Sequence, residues 1–413
     1  MFLVAMAAFS WGMAVGVNKA WPHRYVMPAW TAVVSMLEHG EPLPMGRRIK
    51  APEGASRERW SVIRPEKQLS GHYVFAGWDN EISNWAAWLF SPDGERLHRW
   101  PIDHARFGEP AFMEWSPSPH AFEVLEDGSI IVGMDRGSGM ARLDACGTPL
   151  WIADEGVYHH SMMRADDGSY WTWRESPNSL GLVHYLHNFD PDTGQKIREI
   201  DLVEDVIRPL GADAQLFGLR PDYPFRELRL ADEAEIDFYH PNDIEVLRQA
   251  LAPDFPMFEA GDLLLSFRNL DLLAVLDPDD LRIKWSQRGP WHMQHDPDFL
   301  PGGVISVFSN NTGRERSEII RFDPRDNRAW NPLYGGEAHF YTAFMGLHQT
   351  LPNGNILIAA TNQGRILEVT PEGDMVMAFN NVVPQNRAYN SITPIAKWLP
   401  DGYFDPFPGC HDR

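Results

Sequence analysis

Between residues 346 and 381 short apolar runs alternate with polar turns at a spacing that returns elsewhere in the chain. His348 precedes a turn at Pro352-Asn353-Gly354, and the apolar run Ile356 to Ala359 follows. Next come the run Arg365 to Val369, a second turn at Pro371 to Gly373, and the run Met375 to Phe379. The runs are short and rich in Ile, Leu and Val, while Asn-Gly and Glu-Gly supply the positive φ that hairpin reversals need. The pattern predicts four strands in about 40 residues, the size of one propeller blade.

Comparable units start at His120, His160, His240 and His295, with an insertion near 204–238 that carries acidic residues, arginines and the prolines Pro209, Pro221 and Pro224. Two fragments remain. His72 to Trp78, Trp85 to Phe90 and Arg96 to Ile102 form a unit without its first strand, and Ser391 to Trp398, before Pro400-Asp401-Gly402, is a first strand without its unit. Joined, they make a sixth blade that closes a ring and leaves no free sheet edge around it. The expected fold is all-β, a six-bladed propeller over residues 71–413 closed by pairing of its N- and C-terminal strands. A β-sandwich would explain neither the regular offset nor the complementary ends.

Phe2 to Val17 is almost uninterruptedly apolar, and no convincing small-residue cleavage site follows it. Residues 1–24 are therefore read as a signal-anchor helix and 25–70 as a linker and packing segment bearing Trp, Met and prolines. Lys19 and Arg24 follow the apolar run, a bias that by itself would keep the globular part in the cytoplasm. Export is nonetheless expected, with the protein membrane-anchored and its propeller periplasmic or otherwise extracytoplasmic.

Composition agrees with an all-β protein: aromatics make up 12% of the chain, including 16 Trp. A formal net charge of −21 excludes a general nucleic-acid binder, which needs a basic face. Cys146 and Cys410 are the only cysteines, too few for a disulfide scaffold or a Cys-based zinc module. They either pair, in an oxidising compartment, or are small buried residues; spacing alone leaves both open.

Candidate chemistry comes from histidines at one offset. His120, His160, His295 and His348 each stand a nearly constant distance before the first turn of a unit, and His240 does so once its longer loop is excised. The first strand of each blade lines the central channel, so these imidazoles are expected near one channel mouth. With Arg268 and Arg314 just past inner segments, the set suits an anion. Zinc is a competing occupant, but no short His-x-x-x-His helix supports it and no metal or cofactor is expected.

Several stretches permit a family comparison. Gln294-His295-Asp296 through Leu300-Pro301-Gly302-Gly303, then Ser309-Asn310-Asn311-Thr312-Gly313-Arg314 and Glu318 to Asp323, resemble the arylsulfotransferase (ASST) family. So do Tyr239-His240-Pro241-Asn242, Ser266-Phe267-Arg268-Asn269 and Leu351 to Leu357. The resemblance covers roughly the whole propeller, most sharply from Tyr239 to Phe379. It implies transfer of a sulfuryl group from an aryl sulfate to a phenol, without an adenylyl-sulfate donor, through a sulfohistidine. Carried over by position, His348 is the expected nucleophile, with His240, His295 and Arg314 completing the catalytic set. His160, Arg268 and Asn310 are expected to bind substrate, His160 as a base on the acceptor side. His159 is expected to pack, and His292 to line the mouth or to stack.

Two other readings compete. An inactive, membrane-anchored propeller serving as a binding or assembly subunit of a membrane complex would suit the apolar N-terminal segment and the Met- and Trp-bearing stretch after it. A quinoprotein-like propeller is suggested by Asp190 to Gly194 and Asp277 to Trp285, but these are also ordinary blade turns.

Overall fold

The computed structural model describes residue 11 and residues 48–108, 118–135, 137, 139–176, 184–217 and 239–410. The expected anchor apart from residue 11, residues 25–47 of the linker and residues 218–238 of the insertion lie outside them. Among the described residues no helix is long and apolar enough to cross a membrane.

Six antiparallel sheets form the blades of a propeller. Blade 2 comprises 118–124, 130–135, 140–143 and 149–153, and blade 3 comprises 157–164, 170–175, 184–189 and 196–201. Blade 4 holds 241–246, 263–267, 272–277 and 282–288, blade 5 holds 295–300, 304–309, 318–323 and 328–330, and blade 6 holds 347–350, 356–360, 365–369 and 375–380. Consecutive strands of blades 2 to 6 pair in order, many of them through short turns, the arrangement that the period-two patterning favours. The start of the insertion is helical, from Leu202 to Phe217, and packs Val203, Val206, Ile207 and Phe217 against blades 3 and 4.

Blade 1 is made from both ends of the chain. The strand Ile395–Leu399 pairs with His72–Asp79, placing Ala396 opposite Phe75 and Trp398 opposite Tyr73, and 84–90 and 96–102 complete the sheet. The complementary fragments therefore meet as expected. A covalent bond supports the closure: Cys146, in a blade 2 turn, forms a disulfide with Cys410 across a sequence separation of 264. The pairing that spacing left open is thus resolved by fold geometry, which brings the two Cα atoms to 4.9 Å.

Within the linker, Trp60–Val62 adds a fifth, outer strand to blade 6. The Trp60 indole packs against Phe75, Phe90 and Phe379 at the seam between blades 6 and 1. Gly94, at φ +89°, faces that ring so closely that a Cβ would stand 2.3 Å from Trp60 Cγ. Tyr73 of blade 1 donates its hydroxyl to buried Glu368 of blade 6 at 2.5 Å, and Asn355 donates to the same carboxylate at 2.6 Å. Apolar packing dominates the seam, at roughly 1.5–3 kcal/mol per fully buried large side chain, while the Tyr–Glu–Asn set prevents an unpaired buried carboxylate.

Candidate active site

The inner strands of blades 2 to 5 are each interrupted by a register shift: between Pro119 and Ala121, His159 and Met162, Pro241 and Asp243, and His295 and Asp298. A bulge inserts a residue and re-aims the side chains beside it. His160, His240 and Asp296 accordingly have left-handed backbones, at φ +65°, +45° and +50°. This irregularity, placed at the same level in neighbouring blades, brings histidines of blades 2 to 5 together on the axis.

His160 stands at the centre of the group. Its ring centroid is 4.3 Å from that of His120, 4.9 Å from His240 and 6.1 Å from His295. These four imidazoles line a cavity of about 810 Å³ together with Arg48, Lys50 and Arg268. Trp85, Tyr341, Phe344 and Ile392 supply flat or apolar walls, and Asp135 is the acidic residue among the lining groups. Burial, reinforced by His120 and the other rings, pushes the His160 pKa well below the usual imidazole range. Burial likewise depresses His295, with the Arg268 charge adding to the effect. Neutral imidazoles beside fixed guanidinium and ammonium groups make a site suited to an oxyanion.

His295 has a defined tautomer. Its Nδ1 lies 2.7 Å from Asn310 Oδ1, while Asn310 Nδ2 donates to the carbonyls of Thr342 and Met345 at 2.9 and 2.6 Å. The two carbonyls fix which end of the amide is oxygen, so Nδ1 of His295 must carry the hydrogen and Nε2 the lone pair. His160 Nδ1 contacts His159 Nδ1, so His159 is a buried support behind the cavity.

Farther along the same inner strands lies a second chamber of about 230 Å³, lined by Asp243, Glu245, Asp296, Asp298, His348 and Lys397 among others. A waist of about 10 Å³ shares its lining with both spaces: His120, His160 and His295 with the large cavity, and Asp243 and Asp296, with His120 and His160 again, with the acidic chamber. Burial and the Asp296 charge raise Asp243 well above the usual carboxylate range. Burial and Asp298 do the same to Glu245, and burial with Asp296 pushes Asp298 up to about 8.

The structure separates the expected site residues into groups. His160, His240, His295 and Arg268 meet at the large cavity, with His120 as a fourth imidazole. Asn310 is buried behind His295 and acts through it. His348, the nucleophile expected by position, does not line that cavity; it shares the acidic chamber with His120 and His160. It pairs with Ile358, the third residue of its neighbouring strand, just as Asp298 pairs with Ser306; His295 pairs two residues farther on, with Phe308. His348 thus sits at the level of Asp298 and lines the acidic chamber. Its Nδ1 is 2.8 Å from Asp296 Oδ2 and its Nε2 contacts Ser306 Oγ, so both ring nitrogens are engaged. The inner strand of blade 6 carries no register shift, which is why its histidine falls at a different height.

Arg314 is exposed in the turn after Asn311 and borders none of the three spaces. Lying beyond the end of a second strand, it points its charge outward, whereas Arg268 follows the corresponding strand of blade 4 and faces the cavity. His292 is partly exposed and bonds Asp271 at 3.0 Å. Sequence reasoning missed the acidic chamber. Its signal is the alternation in Asp243-Ile244-Glu245 and Asp296-Pro297-Asp298, acids two apart on strands that turn one face to the axis.

The family model for arylsulfotransferase (ASST) matches residues 121–382, and this span contains every cavity histidine except His120. The chain belongs to the arylsulfotransferase family. No curated protein matches it. Among solved structures it is similar to a protein of unknown function from Bacteroides caccae, at 13% identity and a TM-score of 0.50, over 76% of this chain and 94% of that one. It is also similar to TolB from Acinetobacter baumannii, at 11% identity and a TM-score of 0.44, over 92% and 74%. The first likeness is one of fold alone, and the second carries no argument. Family membership, rather than either structure, connects the histidine cavity of this arylsulfotransferase-family chain to sulfuryl chemistry.

Proposed function

We propose that this protein transfers a sulfuryl group from an aryl sulfate to a phenolic acceptor, without an adenylyl-sulfate donor, by way of an N-sulfo intermediate on His295. The observation that carries this reading is the Asn310 bond to His295 Nδ1, which leaves Nε2 with its lone pair in a cavity lined by cationic groups. In the first step Nε2 attacks sulfur, an N–S bond forms, the S–O bond to the aryl group breaks, and the phenolate leaves and takes up a proton. In the second, the acceptor phenol attacks sulfur, the N–S bond breaks, and the phenolic proton passes to a base. Arg268 and His240 are assigned to the sulfate oxygens, and His160, neutral and central, to the acceptor proton. The aryl ring is assigned to the wall formed by Trp85, Tyr341 and Phe344.

The Cys146–Cys410 disulfide supports an oxidising, extracytoplasmic location. The enzymatic reading is tested by incubating the full chain with 4-nitrophenyl sulfate and a phenol and following nitrophenol release. Expected is acceptor-dependent turnover that His295→Gln abolishes. No release across a range of aryl sulfates would overturn the reading and favour a binding or assembly role instead.

A further inference from the structure

We infer that the axial waist binds a hard divalent cation of the calcium class, held by the carboxylates of Asp243 and Asp296 and the amide oxygen of Asn242. Asp243 and Asp296 border both the waist and the acidic chamber, so an ion at their junction reaches donors on either side. Asp298 and His348 stand next to Asp296 on the chamber side, with ligand atoms of the three within 4.8 Å of one another, so further acidic charge adjoins the waist.

Asn242 supplies an independent indication. It is 3% exposed and borders the waist. Its Nδ2 donates to the Gln294 carbonyl at 2.7 Å, which fixes the amide orientation, and its Oδ1 is a buried acceptor with no hydrogen-bond donor. A buried oxygen that has given up its water is destabilising unless something binds it. The waist itself, about 10 Å³, has room for one water-sized occupant.

The surrounding charge points the same way. Four carboxylates line the chamber, and its lysine, Lys397, is paired to Glu123 at 2.7 Å. Arg321, opposite Asp298, donates its Nη2 to Thr350 at 2.8 Å. The Arg321 charge acts on Asp298. It leaves the carboxylates at the waist, Asp243 and Asp296, without a guanidinium or ammonium partner of their own among the described contacts, so a divalent ion there would offset their mutual repulsion. The donors are oxygens, which favours calcium or a similar hard ion over zinc. His348 becomes a positioning residue in this arrangement, its Nδ1–H holding Asp296 Oδ2 so that Oδ1 can turn to the ion.

This inference does not depend on sulfuryl transfer, and its test uses no sulfate ester. The full chain is freed of metal with a chelator, then titrated with calcium by calorimetry, with bound metal counted by mass spectrometry and the melting temperature recorded. Expected are one calcium per chain, a melting temperature that rises on binding, and a weakening of affinity by about 10-fold or more in Asn242→Ala and in Asp243→Asn. If protons alone neutralise the cluster, wild type shows no binding heat and no melting shift at millimolar calcium, and the inference fails. It fails equally if both variants bind calcium as wild type does. Should a carboxylate variant not fold, the wild-type stoichiometry together with Asn242→Ala decides the matter.

Discussion

His295 Nδ1 and Asn310 Oδ1 are 2.7 Å apart, and that one bond determines which ring nitrogen faces chemistry. Asn310 is itself held by the carbonyls of Thr342 and Met345, in the loop whose Tyr341, Phe344 and Met345 wall the cavity. Removing the amide frees the imidazole to adopt the other tautomer. Asn310→Ala is expected to lower kcat on the order of 10- to 100-fold while KM changes little. A change confined to KM would place Asn310 in substrate binding instead.

Protonation of the buried histidines should be visible as a pH dependence of stability. His160 and His295 have folded pKa values depressed below an unfolded value of about 6.5. Above that pH both states are neutral and neither ring contributes. As pH falls below it, the unfolded chain takes up protons that the folded chain refuses, and stability drops by up to about 1.4 kcal/mol per pH unit for each ring. Asp243, Glu245 and Asp298 have raised values and act with the opposite sign, so the informative quantity is the difference between wild type and His295→Gln. In urea titrations that difference should shift in favour of the variant between pH 6.5 and 5; a constant difference would show that His295 is not buried neutral.

Reduction tests the ring closure. The Cys146–Cys410 bond spans 264 residues and ties a blade 2 turn to the chain end that completes blade 1. Restricting so long a loop in the unfolded chain is worth on the order of 5 kcal/mol. Cys410→Ser should lower the denaturation midpoint markedly, and a reductant should then have no further effect. An unchanged midpoint would mean that strand pairing alone holds the closure.

His348 separates support from chemistry. Its ring bonds Asp296 and Ser306 with no side-chain exposure, so His348→Ala breaks a buried network and is expected to cost roughly 3 kcal/mol of stability. The folded fraction should retain turnover within about 10-fold of wild type, because the cavity group remains intact. Abolished turnover in a well-folded variant would return the nucleophile to His348.

Much of the ring is legible in the sequence itself. Period-two runs between Gly turns located the strands, and the missing first strand before His72 matched the surplus strand after Ser391. What patterning could not supply was height along the axis. Bulges at His120, His160, Asn242 and Asp296 alter the count between histidine and turn, so a constant offset in sequence is not a constant level in space. His348, on an inner strand without a bulge, has a different count as well: it is six residues before Gly354, whereas His120, His160 and His295 are eight before Gly128, Gly168 and Gly303. Arg314 lies in an exposed turn past Asn311, well beyond the strand end at Ser309, and it is Asn310 that takes the position Arg268 holds after Phe267. The Trp60–Val62 strand, three residues long, is too short to show alternation and is fixed by packing on Phe379 and Phe90.

The most direct measurement is the site of covalent labelling. The protein is mixed with an excess of 4-nitrophenyl sulfate without acceptor, quenched in base, digested, and its peptides mapped by mass. One sulfuryl group on the peptide carrying His295, discharged by added phenol and absent from His295→Gln, is the expected result. A sulfuryl group on His348, His240 or any other residue, or a nitrophenol burst that leaves His295 unmodified, would contradict it.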